Sequence, residues 1–145
     1  MLYRIVWVGR TKEGYLREGI ERYLALVGYM APVSVIEIKE EKGKPRDSSL
    51  AAEGRRILKQ TQSYVLLDER GKELTSREFA RFLEERGKVD FVIGGAYGVS
   101  GEVREKADAV VALSKMTFTH EMVRVVFLEQ LYRAMTILKG REYHH

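Results

Sequence analysis

Stretches typical of strands and of helices alternate along the chain, and this alternation constrains the fold more than any other feature. Short runs rich in apolar and β-branched residues predict buried strands at Leu2–Val8, Val33–Ile38, 64–67, 89–93 and 109–113. Apolar residues at helical spacing predict helices over 13–27, 49–60, from Thr75 to Gly87, and 120–138. Such alternation is typical of a single α/β domain, here 1–145, with a largely parallel sheet and helices on both faces.

Two of the predicted helices begin with capping residues. Thr75 and Glu78 have the spacing of a capping box, with Leu74 and Phe79 placed as a hydrophobic staple. Ser49 is the predicted cap of the helix that follows a charged loop over 39–47. Asp68 to Gly71 has the composition of a turn that closes the third strand.

Composition excludes several classes of protein. The 145 residues are 45% hydrophobic, which is enough for one core, and the absence of cysteine excludes disulfides, thiolate metal sites and a cysteine nucleophile. His120-Glu121 has Arg124 where a zinc-binding H-E-x-x-H motif needs its second histidine, so we expect no metal. The net charge of +4 permits a polyanionic partner without requiring one.

Hydropathy gives no indication of a membrane segment. The longest uncharged stretch, 23–36, has 14 residues and contains Gly28 and Pro32, so it is too short and too broken to span a bilayer. Arg4 and Arg10 leave no apolar signal-peptide core between them. We therefore expect a soluble, cytoplasmic protein that has no membrane partner.

Three segments follow the carboxyl ends of predicted strands, where α/β sheets bind ligands: those after Leu67, Ile93 and Leu113. The second, 94–101, has four glycines. It is interpreted either as a ligand-binding loop or as a tight turn followed by a helix cap at Ser100. Its spacing matches neither a dinucleotide-binding fingerprint nor a P-loop.

The last predicted helix is apolar around nearly its whole circumference, which indicates that a partner subunit covers part of it. It also carries polar residues that point in opposite directions, since His120 and Glu129 are about 180° apart around the axis. An ion pair between Glu129 and Arg133, four positions apart, explains two of these polar residues.

The sequence contains a set of motifs in a fixed order. They are Leu67-Asp68-x-x-Gly71, Phe91-Val92-Ile93-Gly94-Gly95-x-x-Gly98, Leu113-Ser114-Lys115-Met116-Thr117-Phe118-x-His120, Val123-Arg124-Val125-Val126, Glu129-Gln130-x-Tyr132-Arg133-Ala134 and Tyr143-His144. Together they resemble the RlmH (YbeA-like) family of small SPOUT-class methyltransferases of large-subunit ribosomal RNA. The resemblance covers essentially the whole chain. One departure is Thr119, where the family usually has proline, and a threonine can still cap the helix.

The resemblance implies a C-terminal trefoil knot, a homodimer and S-adenosylmethionine as the methyl donor. It further implies methylation of N3 of a pseudouridine in a decoding-centre hairpin of large-subunit rRNA, on the assembled ribosome. Carried over by position, the residues expected to bind the donor are Leu67, Gly95, Leu113, Ser114, Lys115, Met116, Thr117 and Phe118. The residues expected to assist catalysis are His120, Arg124, Arg133, Tyr143 and His144.

Two other functions remain open at this stage. One is a SPOUT methyltransferase that acts on another position, such as a tRNA ribose, and the other is a catalytically silent α/β dimer that binds RNA. The five residues after Gly140 also have two interpretations. A frayed terminus is the ordinary expectation. The alternative is a tail, containing Tyr143 and His144, that completes the active site of a partner subunit.

Overall fold

A computed structural model describes all residues, 1–145. Its strands are β1 (Leu2–Val8), β2 (Val33–Ile38), β3 (Val65–Glu73), β4 (Lys88–Ile93) and β5 (Ala109–Ala112). Its helices are α1 (Gly14–Gly28), α2 (Arg46–Gln60), α3 (Ser76–Arg86), α4 (Gly101–Lys106) and α5 (Met122–Leu138). None of the helices has both the length and the apolar content needed to cross a bilayer.

The strands form one parallel sheet in the order β2-β1-β4-β3-β5. Alternate residues of β1 face opposite sides, so that Ile5 and Trp7 pack with α1, α3 and α5 while Val6 and Val8 pack with α2 and α4. The expected α/β class, with a parallel sheet and helices on both faces, is confirmed. A trefoil knot depends on how the chain is threaded through itself, and it stays a prediction.

Local signals predicted some helix starts correctly and one wrongly. The capping box of α3 is present, since Glu78 N donates to Thr75 Oγ1 and Thr75 N donates to Glu78 Oε1. The predicted cap of α2 at Ser49 is wrong, because α2 begins at Arg46 and the residue preceding it is Pro45. Proline has no N–H to leave unpaired and its φ suits a helix start, so it begins the helix without a side-chain cap.

The third strand is longer than predicted. Leu67 pairs with Val111 of β5, the chain leaves this register, and Lys72 then pairs with the same Val111. A Cβ built on Gly71 would lie 2.6 Å from the backbone of Val110, so the bulging segment passes directly against β5. Residues 68–71, which were expected to form a turn that ends the strand, instead form a bulge within β3. The strand continues after them because Lys72 and Glu73 pair again with β5.

Candidate active site

A cleft of about 390 Å³ opens at the carboxyl ends of β3, β4 and β5. Its walls are the three segments that the sequence singled out, those after Leu67, Ile93 and Leu113. The parallel arrangement of these three neighbouring strands brings the segments to one edge of the sheet. A cleft at this edge is the usual place for a ligand in an open α/β sheet.

Seven of the eight residues expected to bind the donor line this cleft. They are Leu67, Gly95, Leu113, Ser114, Met116, Thr117 and Phe118. The eighth, Lys115, is not part of the lining; its side chain is 85% exposed and its Nζ lies 3.6 Å from a carboxylate oxygen of Glu73. The backbone of Lys115 lies between two lining residues, while its side chain is directed to solvent.

The glycine-rich segment forms a tight turn that is also one wall of the cleft. Gly98 N donates to Gly95 O at 3.0 Å, and Gly98 has a φ of +80°, in the region that favours glycine. A Cβ on Gly94 would lie 2.6 Å from the carbonyl carbon and oxygen of Gly98, whereas a Cβ on Gly95 would meet only Val8, at an ordinary 3.5 Å. Ser100 Oγ accepts from Val103 N and caps α4, so the turn-and-cap interpretation is confirmed, while ligand binding by this segment stays a prediction.

Two carboxylates of the bulge in β3 lie in the cleft and are paired. Asp68 accepts from Arg104 Nη2 at 2.5 Å and from Arg70 N at 2.9 Å, and Glu69 accepts from Thr117 Oγ1. Burial on its own would raise the pKa of Asp68, but the hydrogen bonds from Arg104 and Arg70 outweigh it and lower that pKa. Asp68 is therefore ionised at neutral pH, and its charge is neutralised within the wall of the cleft.

His120 is the one expected catalytic residue that lines the cleft. Its side chain is half-buried, and it precedes α5 in a turn where Thr119 Oγ1 accepts from Met122 N at 3.2 Å. Burial, followed by the positive charge of Arg124, lowers the pKa of His120 below its ordinary value. The imidazole is consequently neutral at neutral pH and able to accept a proton.

Arg124 lies beneath this region and is fully buried. Its guanidinium donates to Val8 O at 2.7 Å and Thr11 Oγ1 at 2.8 Å, and its Cζ lies 4.8 Å from the centre of the Trp7 ring. No carboxylate pairs with it, since Glu121 instead accepts from the backbone N–H groups that follow Thr11. Arg124 thus joins the end of β1 to the start of α5 and does not line the cleft.

The other three expected catalytic residues form a separate cluster around Glu129, in the middle of α5. Glu129 Oε1 accepts from Arg133 Nη2 at 2.6 Å and from the Tyr143 hydroxyl at 3.2 Å, which confirms the predicted Glu129–Arg133 ion pair. Arg133 Nη1 lies 3.0 Å from Nδ1 of His144, and the ring of Tyr143 packs edge-on against Tyr132 at 4.7 Å. Burial raises the pKa of Tyr143, which keeps its phenol protonated.

Within one chain the tail is docked on α5, and no member of the Glu129 cluster lines the cleft. Both Tyr143 and His144 are half-buried, so the frayed-terminus interpretation is wrong for these two residues. The structure therefore separates the expected catalytic residues into one that lines the cleft, one that is buried at the start of α5, and three that are grouped around Glu129.

Several cleft residues were not among the site residues expected from the sequence, and they include Arg46, Tyr97 and Arg104. Arg104 lies on α4, whose single turn and a half is too short for a periodic signal. Tyr97 lies within the glycine-rich segment, whose expected role depended on its glycines. Arg46 comes from α2 and reaches the cleft through tertiary packing, which no local pattern reveals. No group of three or more His, Cys, Asp or Glu side chains is placed to hold a metal ion.

Comparisons with known proteins identify relatives over the whole chain. A family model described as predicted SPOUT methyltransferase matches residues 1–144. A protein of Geobacter sulfurreducens named ribosomal RNA large subunit methyltransferase H is 46% identical over 153 aligned residues, covering 100% of both chains. Proteins with the same name from Geotalea daltonii and Thermodesulfovibrio yellowstonii are 44% and 41% identical, and the alignments cover at least 98% of each chain.

Proposed function

The chain belongs to the SPOUT methyltransferase family, and on this premise we propose that it transfers a methyl group from S-adenosylmethionine to large-subunit ribosomal RNA. The observation that carries the proposal is full-length similarity, at 46% identity, to a protein named for that activity. The cleft at the carboxyl ends of β3, β4 and β5 supports it, because its lining includes the segments expected to bind the donor. The acceptor we propose is N3 of a pseudouridine in the decoding-centre hairpin, on the assembled ribosome in the cytoplasm.

The cleft has properties that fit the donor. Its volume of about 390 Å³ lies in the range of small-molecule sites, and it combines apolar side chains with polar groups. Leu67, Leu113 and Phe118 offer apolar contact for a heterocycle. In the tight turn at Gly94 and Gly98, the absence of side chains leaves backbone atoms in the wall of the cleft, where a ligand could contact them. When bound, S-adenosylmethionine supplies a methyl group that its sulfonium already makes electrophilic.

We assign proton transfer to His120, which alone among the expected catalytic residues lies in the cleft. Its neutral imidazole can accept the N3 proton as the nucleophile becomes anionic. Arg124 is then a positioning residue, because its hydrogen bonds to Val8 and Thr11 fix the start of α5, which directly follows the turn that contains His120. Most of the rate acceleration comes from alignment of the reacting atoms.

We further propose that the working unit is a homodimer with a composite site. Met122 and Val126 of α5 belong to neither core cluster, and further apolar residues of α5 are only half-buried, which leaves apolar surface for a second subunit. Arg133 lies 11 residues after Met122, the first residue of α5, which places it about 17 Å along the helix axis. Arg133, with the docked tail, therefore lies far from its own cleft, and an antiparallel partner helix would bring it to the cleft of the other subunit.

Two measurements test this proposal. Calorimetry should show micromolar binding of S-adenosylmethionine, and no binding would favour a catalytically silent RNA-binding dimer. Donor carrying a tritiated methyl group should label the large-subunit RNA of assembled ribosomes lacking this modification. Transfer RNA is the control acceptor, and label in the tRNA with none in the ribosome would contradict the assignment.

A further inference from the structure

The mouth of the cleft carries an aromatic side chain that the proposed chemistry does not use. Tyr97 lies at the tip of the turn closed by Gly95 and Gly98, and its side chain is 65% exposed. The close approach of the Gly94 backbone to the Gly98 backbone restricts the conformation of this turn. A large ring on a rigid turn, held open to solvent beside a ligand cleft, is suited to contact with a flat ligand.

One face of this ring is covered by a guanidinium. The Cζ of Arg46, the first residue of α2, lies 3.9 Å from the centre of the Tyr97 ring, a distance typical of cation–π stacking. Because Tyr97 remains mostly exposed despite this cover, the opposite face of its ring is open. The contact also joins two distant segments of the chain, the turn after β4 and the start of α2.

The charge of Arg46 is free, in contrast to neighbouring cations. Arg104 in the cleft is paired with Asp68 at 2.5 Å, and Lys44, two residues before Arg46, lies 3.2 Å from Glu41. Arg46 forms no ion pair with any carboxylate. It therefore presents an unneutralised guanidinium, the group best suited to bind a phosphate, at the rim of the cleft.

We propose that Arg46 and Tyr97 together bind one nucleotide of the RNA substrate, with its base stacked on the open face of Tyr97 and its phosphate on Arg46. This inference rests on the proposed function, since it places the RNA at the mouth of the donor cleft. Stacking on aromatic rings and contact between arginine and phosphate are the usual means of holding single-stranded RNA. The nucleotide is held in a fixed position relative to His120, so the pair also orients the acceptor.

Replacement of the ring tests the stacking contact. Tyr97→Ala should raise the KM for ribosomes by about 5- to 150-fold, the loss expected for one base–aromatic stack. Tyr97→Phe should stay within about twofold of the wild type, because the ring is retained. The affinity for S-adenosylmethionine, measured by calorimetry, should be unchanged in both variants. Tyr29→Ala is the matched control, since Tyr29 is 86% exposed and does not line the cleft.

The charge is tested separately. Arg46→Gln should weaken binding to ribosomes and reduce the slope of log affinity against log salt by about 0.7, as expected for one lost contact with a single-strand phosphate. Arg46→Lys should keep most of the slope. Arg81→Gln is the control, because Arg81 is exposed on α3 and forms no ion pair.

Two results would overturn the inference. One is an unchanged ribosome KM in Tyr97→Ala, or in Tyr97→Leu if the alanine variant is unstable. The other is weaker donor binding at constant ribosome KM, which would place the adenine of the donor on Tyr97. If the wild-type protein transfers no methyl group to ribosomes, the proposed function is wrong, but this result does not decide the inference about Arg46 and Tyr97. Binding of a single-stranded RNA oligonucleotide to the same variants then decides the inference: weaker binding supports it and equal binding overturns it.

Discussion

Adjacent glycines in the wall of the cleft should respond in opposite ways to the same small change. In Gly94→Ala the new methyl group would lie 2.6 Å from two backbone atoms of Gly98, about 1 Å inside the normal contact distance. Backbone cannot rotate away as a side chain can, so the turn must move. Overpacking of this kind costs about 1–3 kcal/mol. In Gly95→Ala the nearest atom is a Val8 methyl at 3.5 Å, an ordinary contact, and the change should stay within about 0.5 kcal/mol.

Urea denaturation of both variants measures these free energies, at one fixed protomer concentration because dimerisation contributes to apparent stability. Gly94→Ala should lower Tm by roughly 2–12 °C, given about 2–4 °C per kcal/mol for a domain of this size. It should also reduce methyl transfer by about 100-fold, since displacement of the wall by 1 Å misaligns the reacting atoms. If Gly94→Ala is as stable as Gly95→Ala, the close approach of Gly94 to Gly98 does not hold the turn.

Three further outcomes are expected. In NMR titrations His120 should have a pKa below its ordinary value of about 6.5, and Arg124→Met should raise that pKa. Because the unfolded chain binds the His120 proton more tightly than the folded protein does, His120 should lower the stability of the fold as the pH falls below about 6.5. A measured pKa at or above the ordinary value would refute this. Deletion of 143–145 should abolish methyl transfer while leaving donor binding and dimerisation intact, and full activity in that homodimer would contradict a catalytic tail. Val126→Asp should dissociate the dimer in sedimentation measurements, whereas Val126→Thr should not, and a folded wild-type monomer at low micromolar concentration would exclude an obligate dimer.

The presence of the strands was predictable because each contains a short run rich in apolar residues. Both Leu2–Val8 and Val33–Ile38 have the bounds that the sequence predicts, since apolar and β-branched residues predominate in them and only Arg4, Ser34 and Glu37 are charged or hydroxyl-bearing side chains apart from Tyr3. The interruption within β3 was not predictable. Residues 68–71 have the composition of a turn, and only pairing with β5, some 40 residues away, extends the strand to Glu73. The strand order β2-β1-β4-β3-β5 depends on such non-local pairing throughout.

The location of the cleft was predictable from strand ends, but the orientation of individual side chains was not. Lys115 lies in the expected segment and is directed to solvent, because a loop, unlike a strand or helix, has no fixed period. Arg124 has the charge of a surface residue, yet it is fully buried by the end of β1, a contact between opposite ends of the chain. The stacking of Arg46 on Tyr97 likewise joins segments about 50 residues apart, for which the sequence contains no local signal.

Mapping of the modified nucleotide on the ribosome is the most direct test of the proposed methyl transfer. Ribosomes that lack the modification are incubated with the protein and with S-adenosylmethionine carrying an isotopically labelled methyl group, and the RNA is then digested and mapped by mass spectrometry. The proposed function predicts one labelled methyl group per large subunit, on N3 of a pseudouridine in the decoding-centre hairpin. A labelled methyl group on a ribose, or at any other nucleotide, would contradict it.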